Sequence, residues 1–464
     1  MRIAFISANR EIMPDAVIPI GLLQVMAAVP ERHEKLFWDL CFEDDPLATV
    51  ARNLRDHQPD LVAIGLRNIQ NMDYTNITVN LDYYRRLVDT VRANSSAPVV
   101  LGGGGFSVMP RELMGALGAD YGIAGEGERA FPRLLEELER PSPALGNIER
   151  LHYRVGGALQ SSGSAPEPLD VDALPRADRS VLPDRYYTDY GTESLQTKRG
   201  CPLHCDYCTY PLIEGARTRM RDPGRVADEF MEICTRRGVG HVFIVDSVFN
   251  LPPRHAKAVC RELVARGNRT PWTSYVNPVA FDDELAALMA RAGAAGMEIG
   301  SDSGCDEVLD RLRKGFRTDK IRRLSQISRA HGLKDCHSFI LGTRGETLDD
   351  VERTLDFVEE LDPFAALMLV WVDDREVVDA GTALGRRSFR DEIYARVGER
   401  AARQPRWSVP RLGIRFDPRT FAVLRRHGLR GPLWQHLDRV PTGRLAAAGA
   451  DPGAAAATSP VTSA

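Results

Sequence analysis

Short apolar runs alternate with amphipathic segments along the first 140 residues. The apolar runs predict buried parallel strands at residues 3–6, 36–40, 61–66, 99–101 and 121–123. The amphipathic segments, such as 46–56 and 81–93, have the spacing of helices. This alternation predicts a doubly wound open sheet of the Rossmann or flavodoxin type over residues 1–140, with ligands bound beyond the carboxyl ends of its strands.

A second series of strand and helix patterns occupies residues 191–375. Its apolar runs predict strands at 193–198, 241–245, 272–275, 297–301, 337–341 and 366–372. Repeated right-handed βαβ units of this kind close toward a partial (β/α)6 barrel of the TIM type, whose chemistry lies at the carboxyl ends of the strands. The fold class is therefore α/β.

The remaining segments have weak periodicity. Residues 141–190 are rich in Pro, Ser, Gly and Asp and are predicted to form a linker, with a short strand pair near 150–154 and 158–160. Residues 376–445 are predicted to be a small C-terminal capping segment over the barrel opening. The tail 446–464 contains mostly small residues and is expected to be disordered.

The loop after the first barrel strand contains Cys201, Cys205 and Cys208 in the spacing C-x3-C-x2-C. Thiolates are soft ligands that suit iron–sulfur clusters. Because a cubane cluster has four irons, three cysteines leave one iron open to a small molecule. A structural zinc site with His204 as the fourth ligand is the alternative, although no second C-x2-C pair completes it.

The cysteine loop resembles the signature of the radical S-adenosylmethionine (radical SAM) superfamily, C-x3-C-x-aromatic-C, with Tyr207 as the aromatic residue. The resemblance implies a 4Fe–4S cluster on the three cysteines and S-adenosylmethionine bound at its open iron. It further implies a 5′-deoxyadenosyl radical that abstracts hydrogen from substrate. An external electron donor of the flavodoxin or ferredoxin type is implied as a partner.

The same resemblance assigns contacts with S-adenosylmethionine to polar residues near the ends of the predicted strands. These are Tyr207 in the loop, Asp246 and Ser247 after the second strand, Glu298 and Ser301 at the fourth, and Gly342 after the fifth. A loop or helix cap is the alternative interpretation of each strand-end position. No catalytic acid, base or nucleophile is predicted.

The first domain resembles the cobalamin-binding domain of class B radical SAM enzymes. The similarity lies in residues 19–22, the Arg67-Asn68 loop, the glycine loop containing Gly103 and Gly104, and residues 125–128. It implies that these two loops contact cobalamin. Glycine removes side chains where a bulky ligand approaches the backbone, although a tight strand-to-helix turn has the same composition.

One position departs from the cobalamin-binding pattern. The D-x-H-x-x-G motif of methionine-synthase-type domains aligns with Asp39-Leu40-Cys41, so that Cys41 stands in place of the cobalt-binding histidine. Two interpretations stay open, namely cobalamin without a protein ligand to cobalt and a domain that binds no corrin.

Composition restricts the partners. The net charge is −4, with 43% hydrophobic and 27% charged residues, and no long basic run is present. These features argue against nucleic acid or an anionic membrane as the main partner. No apolar run approaches the roughly 20 residues that span a bilayer. The eight cysteines of a long chain indicate thiols and metal ligation, which predicts a cytoplasmic location.

The sequence therefore predicts a radical SAM enzyme of secondary-metabolite or antibiotic biosynthesis that acts on a small molecule. Cobalamin-dependent methylation of an unactivated carbon is the leading hypothesis. One alternative is cobalamin-independent radical dehydration of an aminoglycoside-type sugar diol, which a compact chain and Cys41 would fit. Another alternative is a non-catalytic corrinoid or metal-binding carrier.

Overall fold

The computed structural model describes residues 1–12, 15–70, 80–163, 168–235, 239–372, 387–404, 406–409, 412–413 and 425–439. The predicted tail 446–464 lies outside these residues, as does most of the stretch between 373 and 424.

In the described part of the N-terminal region, one sheet has the strand order β2-β1-β3-β4-β5-β6-β7. Its strands are β1 (Arg2–Ser7), β2 (Glu34–Asp39), β3 (Leu61–Gly65), β4 (Val99–Gly102), β5 (Tyr121–Ile123), β6 (Leu151–Val155) and β7 (Ala158–Ser161). Strands β1 to β5 are parallel, which confirms the predicted open sheet, and its order reverses between β1 and β3. The hairpin β6–β7, which we assigned to the linker, extends this sheet in antiparallel fashion.

Helices cover both faces of this sheet. They are α1 (Ile20–Ala28), α2 (Pro46–His57), α3 (Leu81–Asn94), α4 (Gly104–Val108), α5 (Pro110–Leu117) and α6 (Ala130–Leu138). Strand β1 shows why both faces are needed, because Ile3 and Phe5 belong to one apolar core and Ala4 and Ile6 to the other. A strand buried on both faces is therefore a continuous apolar run, as the sequence showed.

The second sheet of the described chain has the order β17-β16-β15-β14-β13-β12-β11-β8. In chain order the strands are β8 (Thr192–Leu195), β9 (Lys198–Arg199), β10 (Arg219–Met220), β11 (His241–Ile244), β12 (Trp272–Val276), β13 (Gly296–Asp302), β14 (Lys334–Leu341), β15 (Ala365–Val370), β16 (Trp407–Val409) and β17 (Leu412–Gly413). From β8 to β16 all pairings within this sheet are parallel, which confirms the predicted barrel strands and adds β16. Strands β9 and β10 form a separate antiparallel pair.

Helices alternate with these strands along the chain. They are α7 (Tyr210–Glu214), α8 (Pro223–Thr235), α9 (Pro253–Ala265), α10 (Asp283–Arg291), α11 (Asp306–Arg311), α12 (Thr318–Ala330), α13 (Leu348–Leu361) and α14 (Arg387–Ala401). The two regions share a hydrophobic core, since the cluster that contains Phe5 and Leu23 also contains Leu195 and Phe230. The two regions are therefore packed against each other through this core.

The described part of the C-terminal segment lies at the amino ends of the barrel strands, on the opposite side from our prediction. Arg430 passes over Gly191 and Gly240, which directly precede β8 and β11. A Cβ atom at Gly191 would lie 2.5 Å from the Arg430 side chain, so the missing side chain makes room for it. The segment 425–439 thus closes the floor of the barrel.

None of the helices in the described residues is long and apolar enough to cross a bilayer.

Candidate functional site

The cysteine loop lies between β9 and α7. Cys201 is buried, whereas Cys205 and Cys208 are half-buried. Burial raises the pKa of Cys208 to about 11, and repulsion from the Cys205 and Cys201 thiols adds to the shift, so the three thiols lie within electrostatic reach of one another. A cationic metal centre that binds cysteine thiols stabilises them as thiolates.

Within the described residues, no three acidic, histidine or cysteine side chains are grouped so as to hold a single metal ion. A cubane cluster does not need such a group, because each cysteine binds a different iron. The soft donor set therefore fits a 4Fe–4S cluster.

Tyr207 is fixed by a buried polar group behind the loop. Its hydroxyl donates a hydrogen bond to Asp302 Oδ2 at 2.6 Å, and Lys314 Nζ donates to the tyrosine oxygen at 3.2 Å. Asp302 ends β13 with φ of +63°, directly after a register shift in the pairing with β14. This shift turns the carboxylate toward the cysteine loop, where a regular strand would direct it differently.

Asp246 follows β11 and is fully buried. Its two oxygens accept hydrogen bonds from the backbone and hydroxyl of Thr197 and from the Lys198 ammonium, at 2.7, 2.5 and 3.0 Å. The carboxylate therefore ties the end of β11 to the start of the cysteine loop. Ser247 donates its hydroxyl to Glu214 Oε2 at 3.0 Å. Contacts of Asp246 and Ser247 with S-adenosylmethionine stay predictions.

Ser301 is buried against the helical layer of the barrel. Its hydroxyl is 2.7 Å from His337 Nδ1, and the other ring nitrogen of His337 lies 3.0 Å from Ser325 on α12. Gly342 follows β14 with φ of +82°, and a Cβ there would lie 3.0 Å from Ile393. These neighbours belong to the protein interior, and the roles predicted for Ser301 and Gly342 in cofactor binding stay untested.

A cavity of about 820 Å³ runs between the two regions of the chain. Of the residues predicted to bind cofactors, five line it, namely Arg67, Asn68, Gly103, Gly104 and Glu298. The three cysteines do not line it, but helix α7, which starts two residues after Cys208, contributes Tyr210, Ile213 and Glu214 to its wall.

The wall of the cavity that belongs to the N-terminal sheet is built from loops that follow β3 and β4. A Cβ at Gly103, where φ is +96°, would lie 2.5 Å from the carbonyl oxygen of Leu66. The absence of a side chain at Gly103 therefore lets the two loops touch through their backbones, as the tight-turn interpretation requires. It also leaves this part of the cavity wall without a side chain. Asn68 donates to Glu11 Oε2 at 2.9 Å, and Arg67 lies 3.5 Å from the same carboxylate. The glycine part of this wall, which follows β4, leaves room for a large planar ligand.

Cys41 is buried and does not line the cavity. Its backbone N–H donates to Asp39 Oδ1 at 2.7 Å, and its sulfur lies 4.0 Å from Asn9 Nδ2. Burial raises the pKa of the Cys41 thiol to about 11, and Asp39 adds to the shift. In this position Cys41 is a neutral packing residue, so a corrin in the cavity would have no ligand from it.

Ion pairs join the N-terminal sheet to the strands beside the cysteine loop. Arg199 in β9 lies 3.1 Å from Glu126 and 2.6 Å from Glu128, both in the loop after β5. Arg219 in β10 adds a contact of 2.6 Å with Glu126. Paired guanidinium and carboxylate groups with little exposure hold the two halves of the site in a fixed relation.

Sequence reasoning missed several cavity residues. Glu214 accepts hydrogen bonds from Gln196 at 2.7 Å and from Ser247, and Trp434 reaches the cavity from the C-terminal segment. The position of α7 directly after the motif was a usable signal for Glu214. No local pattern indicates that Trp434 folds back into the barrel.

Comparison with known proteins agrees with this architecture. Residues 195–358 match the radical SAM superfamily, and residues 13–135 match the B12 binding domain. A tryptophan 2-C-methyltransferase from Streptomyces laurentii is 31% identical over 430 residues, covering 78% of this chain and 70% of that protein. The solved structure of the radical S-adenosylmethionine methyltransferase TsrM from Kitasatospora setae, with cobalamin and a 4Fe–4S cluster bound, is 26% identical with a TM-score of 0.72, covering 80% of this chain and 72% of that one.

The cobalamin-dependent S-adenosylmethionine radical enzyme OxsB shares the fold, with a TM-score of 0.67 at 15% identity over 92% of this chain and 62% of that one. The fold of this chain is thus shared with both solved structures. The chain belongs to the radical SAM superfamily, in the branch whose members carry an N-terminal B12-binding domain.

Proposed function

We propose that this enzyme methylates an unactivated carbon of a small aromatic substrate in natural-product biosynthesis. The observation that carries the proposal is the cavity of about 820 Å³, which is lined both by the loops of the B12-binding domain and by the interior of the barrel. Such a cavity places a substrate within reach of groups held by either domain.

The bound cofactors supply the chemistry: a cluster and S-adenosylmethionine at the barrel provide one-electron reactivity, and cobalamin provides a transferable methyl group. Cys201, Cys205 and Cys208 would hold the cluster, and the loops containing Arg67 and Gly103 would hold the corrin. An electron donor of the flavodoxin or ferredoxin type and a cytoplasmic location remain predictions.

Aromatic side chains of this chain line the cavity on the barrel side. The ring of Tyr275 contacts that of Phe243 edge-on, with centroids 5.1 Å apart, and both line the cavity with Tyr210. Aromatic walls bind planar apolar groups and exclude water, which protects a reactive carbon from side reactions. The relative from Streptomyces laurentii acts on tryptophan, as its name states, and we extend the aromatic substrate class to this chain on the basis of these walls.

The two alternatives fit less well. A sugar diol would require many hydrogen-bonding partners, whereas polar side chains on the barrel side of the cavity, such as Gln196 and Glu214, already bond to one another. A non-catalytic carrier does not fit, because the similarity to a methyltransferase covers 78% of the chain.

The test is anaerobic production of the full chain with added hydroxocobalamin, followed by gel filtration and absorption spectroscopy. We expect corrin to remain bound and a 13C-labelled methyl group from S-adenosylmethionine to appear in tryptophan or a related indole. Turnover of a sugar diol by protein that has lost all corrin would instead support dehydration. Absence of both corrin and methyl transfer would refute the proposal.

A further inference from the structure

Glu298 occupies the floor of the cavity on the barrel side. It lies in β13 directly opposite Tyr275 of β12 and Cys336 of β14 in the strand register. Its neighbours Met297 and Ile299 are fully buried in the core, so the alternation of the strand points Glu298 into the barrel. Both Glu298 and Tyr275 line the cavity.

The C-terminal segment positions this carboxylate. Trp434 Nε1 donates a hydrogen bond to Glu298 Oε1 at 2.9 Å. The indole fits because Gly296, two residues earlier in β13, has no side chain, and a Cβ there would lie 2.9 Å from the Trp434 ring. Trp434 thus holds one carboxylate oxygen, and among the described residues no hydrogen bond reaches the other.

Glu298 differs from the other carboxylates of the cavity. Those carboxylates have a basic partner or several donors: Asp15 with Arg425, Glu126 and Glu128 with Arg199, Glu229 with Arg221, Glu11 with Arg67, and Glu214 with Gln196, Gly200 and Ser247. Among the described residues, by contrast, no lysine, arginine or histidine forms an ion pair with Glu298. Trp434 is its donor there.

This environment disfavours a charged carboxylate without a partner. Burial raises the pKa of Glu298, and the nearby Asp15 carboxylate adds to the shift. A buried charge is normally paired, because its removal from water is unfavourable unless a partner compensates it. A cation that enters the cavity would remove this cost and gain a charge-assisted hydrogen bond.

We propose that Glu298 is the binding site for a protonated amine of the substrate, which makes the substrate an arylalkylamine or an amino acid with an aromatic side chain. The aromatic side chains of Tyr275, Phe243 and Tyr210 hold the ring system, and their faces add cation–π attraction to the ammonium group. This assignment rests on the proposed function, because it names the substrate class of the same cavity.

The test measures binding without turnover, using the reconstituted full chain. Tryptamine and tryptophol serve as probes, because they share an indole and differ in an ammonium or a hydroxyl group. We expect wild-type protein to bind tryptamine about tenfold to a hundredfold more tightly than tryptophol in calorimetry. Glu298→Gln should abolish this preference and leave tryptophol binding unchanged, because the amide still accepts from Trp434. Glu284→Gln, on the exposed face of α10, is the matched control.

Equal binding of the two probes by the wild type, no binding of tryptamine at millimolar concentration, or a preference that survives in folded Glu298→Gln would each overturn the assignment. The wild-type comparison needs no variant, so the test holds even where Glu298→Gln fails to fold. Corrin retention and methyl transfer test the proposed function separately. A Glu298-dependent preference without methyl transfer would refute that function alone.

Discussion

The ammonium of Lys314 lies 2.6 Å from the carboxylate of Asp302, and both side chains are at most 5% exposed. The pair stands directly behind the cysteine loop, where the Tyr207 hydroxyl donates to the same carboxylate oxygen. Burial raises the pKa of Asp302, while Lys314 and Tyr207 oppose that shift. The aromatic residue of the cysteine motif is therefore positioned by a buried charge pair.

Removal of one partner of this pair should destabilise the protein strongly. Lys314→Met leaves Asp302 as an uncompensated buried charge, which costs about 3–5 kcal/mol. Lys35→Met, which removes a surface pair with the exposed Glu31, should cost about 1 kcal/mol or less. Urea unfolding of the full chain measures both. A cost for Lys314→Met no larger than that for Lys35→Met would show that the pair does not fix this region.

The cysteine loop should lose its cluster when one ligand changes. Cys205→Ser replaces a soft thiolate with a poor iron ligand, so we expect iron content after anaerobic reconstitution to fall well below about four per chain. Cys234→Ser, at the end of α8, is the control and should retain the full content. Iron and sulfide assays give the result. Full iron content in Cys205→Ser would contradict the assignment of the ligands.

The strands could be predicted because both faces of each are buried. In β14, for example, the run His337–Leu341 contains residues that must face either the barrel interior or the helices, and its shortness favours a strand over a helix. The direction in which individual side chains point was harder to predict from the sequence. Ser301 lies beside His337 next to a register shift of β13 after Gly300, and no local sequence pattern predicts that shift.

Contacts between residues that are far apart in the sequence could not be predicted either. Trp434 reaches Glu298 from 136 positions away, and its indole fits there only because of Gly296. Glu298 itself was found from its strand position as a cofactor contact, which stays a prediction, and the amine-binding role proposed above is an alternative to it. The replacement of histidine by Cys41 was visible in the sequence, whereas its burial away from the cavity was not.

The glycine loop should tolerate no side chain at Gly103. Gly103→Ala imposes a φ of +96° on a residue with a Cβ and brings that atom to 2.5 Å from the Leu66 carbonyl. Gly118→Ala, where φ is +66° and no other atom lies within 4 Å, imposes only the backbone cost. We expect a loss of stability on the order of 3 kcal/mol or more for Gly103→Ala against about 1–2 kcal/mol for Gly118→Ala.

The same pair of variants separates corrin binding from stability. Movement of the Leu66 loop in Gly103→Ala would displace Arg67 and Asn68, so corrin retention on gel filtration should fall, whereas Gly118→Ala should retain corrin. Equal retention by both variants would show that this loop does not contact the corrin.

Asp39, two residues before Cys41, should make the stability of the protein depend on pH. Burial raises the pKa of Asp39 from 3.8 to about 6, although the Cys41 backbone N–H and the Tyr186 hydroxyl donate to it. The folded state therefore binds a proton more tightly than the unfolded state. Protonated Asp39 therefore stabilises the folded state, and this stabilisation is fully present below the unfolded pKa. It is lost as the pH rises through the folded pKa, and the total change in the free energy of unfolding is up to about 3 kcal/mol.

Asp39→Asn should remove this dependence. An amide oxygen still accepts from the Cys41 N–H, and its NH2 group can donate to the Tyr186 oxygen, so the local packing is retained. We expect the free energy of unfolding of the wild type, relative to the variant, to fall between about pH 4 and pH 6 and to stay constant above that range. Asp15, whose pKa is also raised to about 6 by burial, affects both proteins equally and cancels in the difference. If the free energy of unfolding of the two proteins changes identically with pH, Asp39 is ionised in the folded state over this range. The surroundings of Asp39 would then be more polar than its contact with Tyr186 indicates.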